Sequence, residues 1–106
     1  MRLLAVYTTV GSQGAARAMA RALVERRLAA CAQVMPIESV YRWQGAVQSE
    51  PEYCILFKTT EAQYAAVEAA IRALHTYELP AIHAVAVDHA LDAYADWVAD
   101  GSTGGR

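Results

Sequence analysis

Between Gln13 and Leu28, apolar side chains recur at Ala16, Met19, Ala20, Leu23, Val24 and Leu28, a stripe along one face of a helix. Arg17, Arg21, Glu25 and Arg26 lie largely off that stripe, and Arg21 and Glu25 are spaced for a weak surface pair. Ser12 stands where an N-cap belongs. Ahead of it, Arg2 to Thr9 mixes Leu, Val, Tyr and Thr and predicts a strand, broken at Val10-Gly11-Ser12. Cys31 to Trp43 and Ala46 to Thr60 read as two long strands around a turn at Gln44-Gly45, a hairpin whose outer half overhangs a small sheet. Pro36 marks an edge position or a bulge and Pro51 an edge or a bend, because proline cannot donate to a ladder. Thr60-Glu61-Ala62-Gln63 fits a capping box for a helix carrying Tyr64, Val67, Ile71 and Leu74 down to His75. A loop at Tyr77 to Pro80, a strand over Ala81 to Asp88 and a short helix over Leu91 to Val98 complete the pattern.

Strand, helix, strand, strand, helix, strand is two βαβ halves joined by a hairpin. It predicts an α+β, ferredoxin-like βαββαβ sandwich with two helices on one face of a four-stranded sheet, followed by the short C-terminal helix. One domain is expected over residues 1–100, with a flexible Gly-rich tail over 101–106. The strands look apolar on both faces, and a lone chain would leave one face bare. Soluble monomers avoid such a patch, so an oligomer is expected.

Composition adds a few exclusions. Of 106 residues, 56% are hydrophobic and 19% charged, which excludes intrinsic disorder. The net charge is -2 and the longest basic cluster is Arg26-Arg27, so no nucleic-acid partner is expected. No apolar run is long enough to span a bilayer and the N-terminus lacks the makings of a signal peptide, so a cytoplasmic protein with no membrane partner is expected. Cys31 and Cys54 do not form a C-x-x-C pair and are expected to be reduced thiols, Cys54 in the core. His83 and His89 are expected to be partly exposed surface residues, too far apart on a strand for a joint metal site. Alanine accounts for 23 residues and Arg outnumbers Lys eight to one, which singles out the one lysine, Lys58.

Several local motifs then fit one family. Leu23-Val24-Glu25-Arg26-Arg27-Leu28-Ala29-Ala30-Cys31-Ala32-Gln33 resembles the L-V-E-x-x-L-A-A-C-x-N segment of the CutA, or divalent-cation tolerance, family. The likeness continues through Pro36, Ser39-Val40-Tyr41-Arg42-Trp43-Gln44-Gly45, Glu52, Lys58-Thr59, His75-Thr76-Tyr77-Glu78-Leu79-Pro80, and Tyr94 with Asp96-Trp97-Val98. It spans about residues 3 to 98 without gaps. Thr76 replaces a family proline, and Ala81 replaces a family glutamate, which removes a carboxylate from that position.

The resemblance implies a homotrimer of ferredoxin-like protomers, associated with copper and other divalent cations and not with catalysis. Cys31 and His75 match family positions and are borderline-soft donors suited to Cu(II), so they are the candidate metal ligands; no organic cofactor is expected. Each also has an ordinary structural reading, Cys31 as a buried thiol and His75 as a helix C-cap. A second reading is a PII-like trimeric sensor or adaptor that binds a small anionic metabolite between subunits, lined by Lys58, Trp43 and Tyr77. Trp43 and Tyr41 also suit oligomer contacts, and a scaffold with incidental metal affinity is the third alternative.

Overall fold

In the computed structural model, which describes residues 2–104, the chain runs β1 (Leu3–Val10), α1 (Gln13–Glu25), β2 (Cys31–Trp43), β3 (Ala46–Thr60), α2 (Tyr64–Leu74), β4 (Ile82–Val87) and α3 (Asp92–Gly101). The strands form one antiparallel sheet in the order β2-β3-β1-β4, the ferredoxin-like arrangement. Strand alternation sorts the sheet into two faces. Leu4 and Val6 on β1 and Ile55 and Phe57 on β3 point toward α1 and α2, where Met19, Leu23, Val67 and Ile71 complete a closed apolar core. Fully burying side chains of this size contributes roughly 1.5–3 kcal/mol each.

Both ends of α1 are set by side chains the pattern contains. The Ser12 hydroxyl accepts from the Ala15 N–H at 3.1 Å. The helix ends at Glu25, three residues before the apolar stripe does. Arg27 takes φ 59°, its N–H reaches the Val24 carbonyl, and the Leu28 N–H reaches the Leu23 carbonyl. That is a Schellman cap with Arg where glycine is usual, and Leu28 packs back into the core as its apolar closure. The predicted capping box does not form: Thr60 makes no side-chain cap bond, and a 3-10 turn over Glu61–Gln63 precedes α2.

The hairpin turns at Gln44 and Gly45 with φ 51° and 82°, the two left-handed residues of a type I′ turn. Pro36 sits on the edge strand without breaking register, since every residue of β2 pairs with β3. β1 pairs with β3 only from Tyr53 onward, so Pro51 lies in an outer half that is bare on that side. This overhang contributes to a molecule 44 Å long and 21 Å thin.

The face turned away from α1 and α2 is not wholly bare. Tyr94 of α3 reaches Cys31 on that face, so α3 covers the end of it where Leu3, Ala5 and Val98 are buried apart from the main core. Residues 101–104, expected to be flexible, are held instead. Arg27 donates to the Asp100 carbonyl and, at 2.9 Å, to the Thr103 hydroxyl, and its own carbonyl accepts from the Gly104 N–H. Gly105 and Arg106, the rest of that expected tail, lie outside the described residues. Cys54 is not in the core: it alternates with Ile55 and lies half-buried on the open face, where burial pushes its thiol pKa up. His83 is exposed on the same face, stacked on Tyr7 at 5.1 Å, and β4 ends before His89. No helix among the described residues is long and apolar enough to cross a membrane.

Candidate functional site

The overhanging half of the hairpin carries different chemistry on its two faces. Tyr41, Glu50 and Glu52 share one face, while Val40 and Val47 share the other. The loop after α2 folds against the first of these. His75 ends α2, where its N–H reaches the Ile71 carbonyl and the backbone leaves the helix. Its ring then bridges two backbones: Nδ1 accepts from the Tyr77 N–H at 3.1 Å, and Nε2 donates to the Thr9 carbonyl at 2.8 Å. Accepting at Nδ1 assigns the proton to Nε2 in a neutral ring. The ring also lies against Tyr77, with centroids 4.7 Å apart.

Tyr77 is thereby aimed at the hairpin, where its hydroxyl donates to Glu52 Oε2 at 2.7 Å. Glu52 is 7% exposed. Glu50, two residues earlier on the same face, accepts from the Tyr41 hydroxyl at 2.8 Å. Both phenols keep their protons beyond the usual tyrosine range, for different leading reasons. Burial pushes Tyr77 up first, then its bond to Glu52; for Tyr41 the bond to Glu50 comes first. Between hairpin and loop lies a cavity of about 480 Å³, walled by Tyr41, Trp43 and Tyr77 and edged by Glu50, Glu52 and Glu78. Arg42 and Leu79 also line it, so three carboxylates face one guanidinium.

The expected site residues are divided among different places. Trp43 and Tyr77 do line one cavity, but Lys58 does not join them. It lies six residues up β3 from Glu52, about 20 Å along the strand, on the row of Cys31 and Ala5. Among the described residues, Lys58, Trp43 and Tyr77 form no anion site within one chain, and the cavity's carboxylates would repel an anion. Cys31 and His75 are separated as well. His75 bonds to Thr9, four rows along and two strands across from Cys31, about 16 Å away. The Cys31 thiol lies 3.7 Å from the Tyr94 hydroxyl and 3.6 Å from the Gln33 amide nitrogen. Among the described residues, no three His, Cys, Asp or Glu side chains come together as a metal site.

Glu50 is the residue the sequence reading missed. A carboxylate two residues before Glu52, on a strand facing Tyr41 across a hairpin, was the available signal.

A ferredoxin-like sandwich with an overlong hairpin, closed at one end by a third helix, defines a narrow class of small α+β domains. The chain belongs to the CutA1 divalent ion tolerance protein family, whose model matches residues 4–101. It is 42% identical over 94 residues to the divalent-cation tolerance protein CutA of Thermus thermophilus, covering 88% of this chain and 91% of that one. It is 34% identical over 96 residues to a protein named CutA, chloroplastic, of Arabidopsis thaliana, covering 90% of this chain and 53% of that one. It superposes with TM-score 0.92 and 30% identity on a structure named the periplasmic divalent cation tolerance protein CutA from Archaeoglobus fulgidus, covering 94% and 98% of the two chains.

Proposed function

We propose that the protein is a homotrimeric, non-enzymatic binder of divalent cations that acts in metal-ion tolerance, with Cu(II) the foremost ion. Membership of the divalent ion tolerance family across residues 4–101 is the observation that carries this reading. The electrostatics of the hairpin cleft supports a cation over an anion, since a cleft lined by one sign of charge concentrates ions of the other. Cys31 and His75 supply the borderline-soft donors for copper. One chain keeps them apart, so a site using both draws them from two subunits, and His75 exchanges one of its backbone bonds for the metal.

Assembly is supported by apolar surface that the single chain leaves bare. Val40 is 68% and Val47 64% exposed, and Met35 and Val85 are exposed on the open face.

Native mass spectrometry of the untagged protein with limiting Cu(II) tests the whole reading. A trimer that saturates at a multiple of three coppers, and loses them in a Cys31→Ser, His75→Ala double variant, is the expected result. Graded, unsaturated copper adducts on a trimer would reject the copper site and keep the assembly; a monomer would reject both.

A further inference from the structure

The hairpin cavity has features that an inorganic ion does not require. Its volume of about 480 Å³ falls among small-molecule sites, which run from about 300 to 1,000 Å³. Three of its walls are the aromatic rings of Tyr41, Trp43 and Tyr77. Glu52, a residue more than nine-tenths buried, brings its carboxylate into it, and among the described residues no cation lies within ion-pairing distance of that group. Oε2 accepts the hydrogen bond of the Tyr77 hydroxyl, whereas Oε1 accepts none among the described residues and keeps its access to the cavity. A buried carboxylate is costly unless it is paired, and Arg42, the guanidinium that lines this cavity, does not come within ion-pairing distance of Glu52.

The donor set argues against a hard divalent ion at this spot. Calcium takes six to eight oxygens and magnesium a strict octahedron, and no cluster of three ligating side chains is present among the described residues. Aromatic faces beside a carboxylate suit a weakly hydrated organic cation, which gains from the ring quadrupoles as well as the charge.

We propose that this cavity binds a small organic ammonium ion, its nitrogen on Glu52 and its alkyl part against Trp43 and Tyr41. Glu50 lies on the same strand face, about 7 Å along β3. A second carboxylate at that spacing suits an aliphatic diamine of four or so carbons. The two phenols, held neutral beside their carboxylates, leave both negative charges for the ligand. The Glu52 position depends on the Thr9–His75–Tyr77 chain of bonds, so the loop after α2 orients this site without touching the ligand's charge. The inference does not rest on copper binding and stands or falls separately from it.

Calorimetric titration of the full chain with 1,4-diaminobutane tests it, with n-butylamine, 1,4-butanediol and succinate as companions. Saturable binding of the diamine, weaker binding of the monoamine and none of the diol or succinate is the expected pattern. Glu52→Gln should weaken the diamine at least tenfold, and Trp43→Ala should weaken it while the copper count by native mass spectrometry is unchanged. Trp43 lies at the hairpin tip outside the core, so that variant is informative even where Glu52→Gln fails to fold. No saturable binding of either amine, or equal binding in Trp43→Ala and wild type, would overturn the proposal.

Discussion

Thr8 sits in the core layer of β1, 1% exposed, and its hydroxyl has no hydrogen-bond partner among the described residues. An unsatisfied buried hydroxyl costs about 1–3 kcal/mol, so Thr8→Val, which keeps the shape, is expected to stabilise the fold by about 1 kcal/mol in urea titration. Tyr77 makes stability depend on pH at the alkaline end. An unfolded tyrosine loses its proton near pH 10, whereas folded Tyr77 holds it to higher pH because of burial and Glu52. The folded state therefore binds more protons above pH 10, and stability falls as pH rises there. In Tyr77→Phe that decline is expected to be shallower between pH 10 and 11.5, with no change in slope below pH 9, read from urea midpoints. At this scale the sequence was only partly legible. Tyr77 and Trp43 are visible as candidate contacts, but the partner of Tyr77 is a carboxylate 25 positions away, a pairing made by loop geometry that no local spacing encodes.

The strands were legible because their signals are local. Cys31 and Trp43 bound β2 where the β-formers begin and end, and Gln44-Gly45 has the residue types a tight turn tolerates. Helix ends were less so. Leu28 continues the stripe of α1 yet belongs to its cap, since an apolar closure and an apolar helix face look alike in one dimension. Arg27 is the residue that pins the end. It carries left-handed strain that glycine would not, roughly 1–2 kcal/mol, and its guanidinium ties α1 to the end of α3. Arg27→Ala should lose the tie and keep the strain; Arg27→Gly should lose the tie and relieve it. The glycine variant is thus expected to melt above the alanine variant, by a difference worth about 1 kcal/mol. Equal melting of the two would mean that the cap carries no strain.

For the molecule as a whole, the hairpin is the element without a core of its own. Val40 and Val47 share its face opposite the carboxylates and pack under no helix of this chain. Under the trimer proposal they bury against another subunit. Lysine at both positions is then expected to convert the assembly to monomer in light scattering, while circular dichroism of the sandwich is retained. Legibility at this scale was uneven. Apolar residues on both sheet faces announced a missing cover, but the sequence did not reveal that α3 supplies part of it, because Leu3 and Ala5 read equally well against a helix of the same chain or of another.

The same overhang sets a hazard during synthesis. In the single chain, β2 offers its whole outer edge, and β3 offers residues 46–52, as open backbone that any extended chain can zip onto. Pro36 and Pro51 both fall on those bare stretches, and each deletes a donor from the strand that carries it. They act as gatekeepers, tolerated by the finished ladder and hostile to a stray one. A chain carrying Pro36→Val and Pro51→Val should fold to the same sandwich yet lose more material to precipitate during refolding than the wild type at the same concentration.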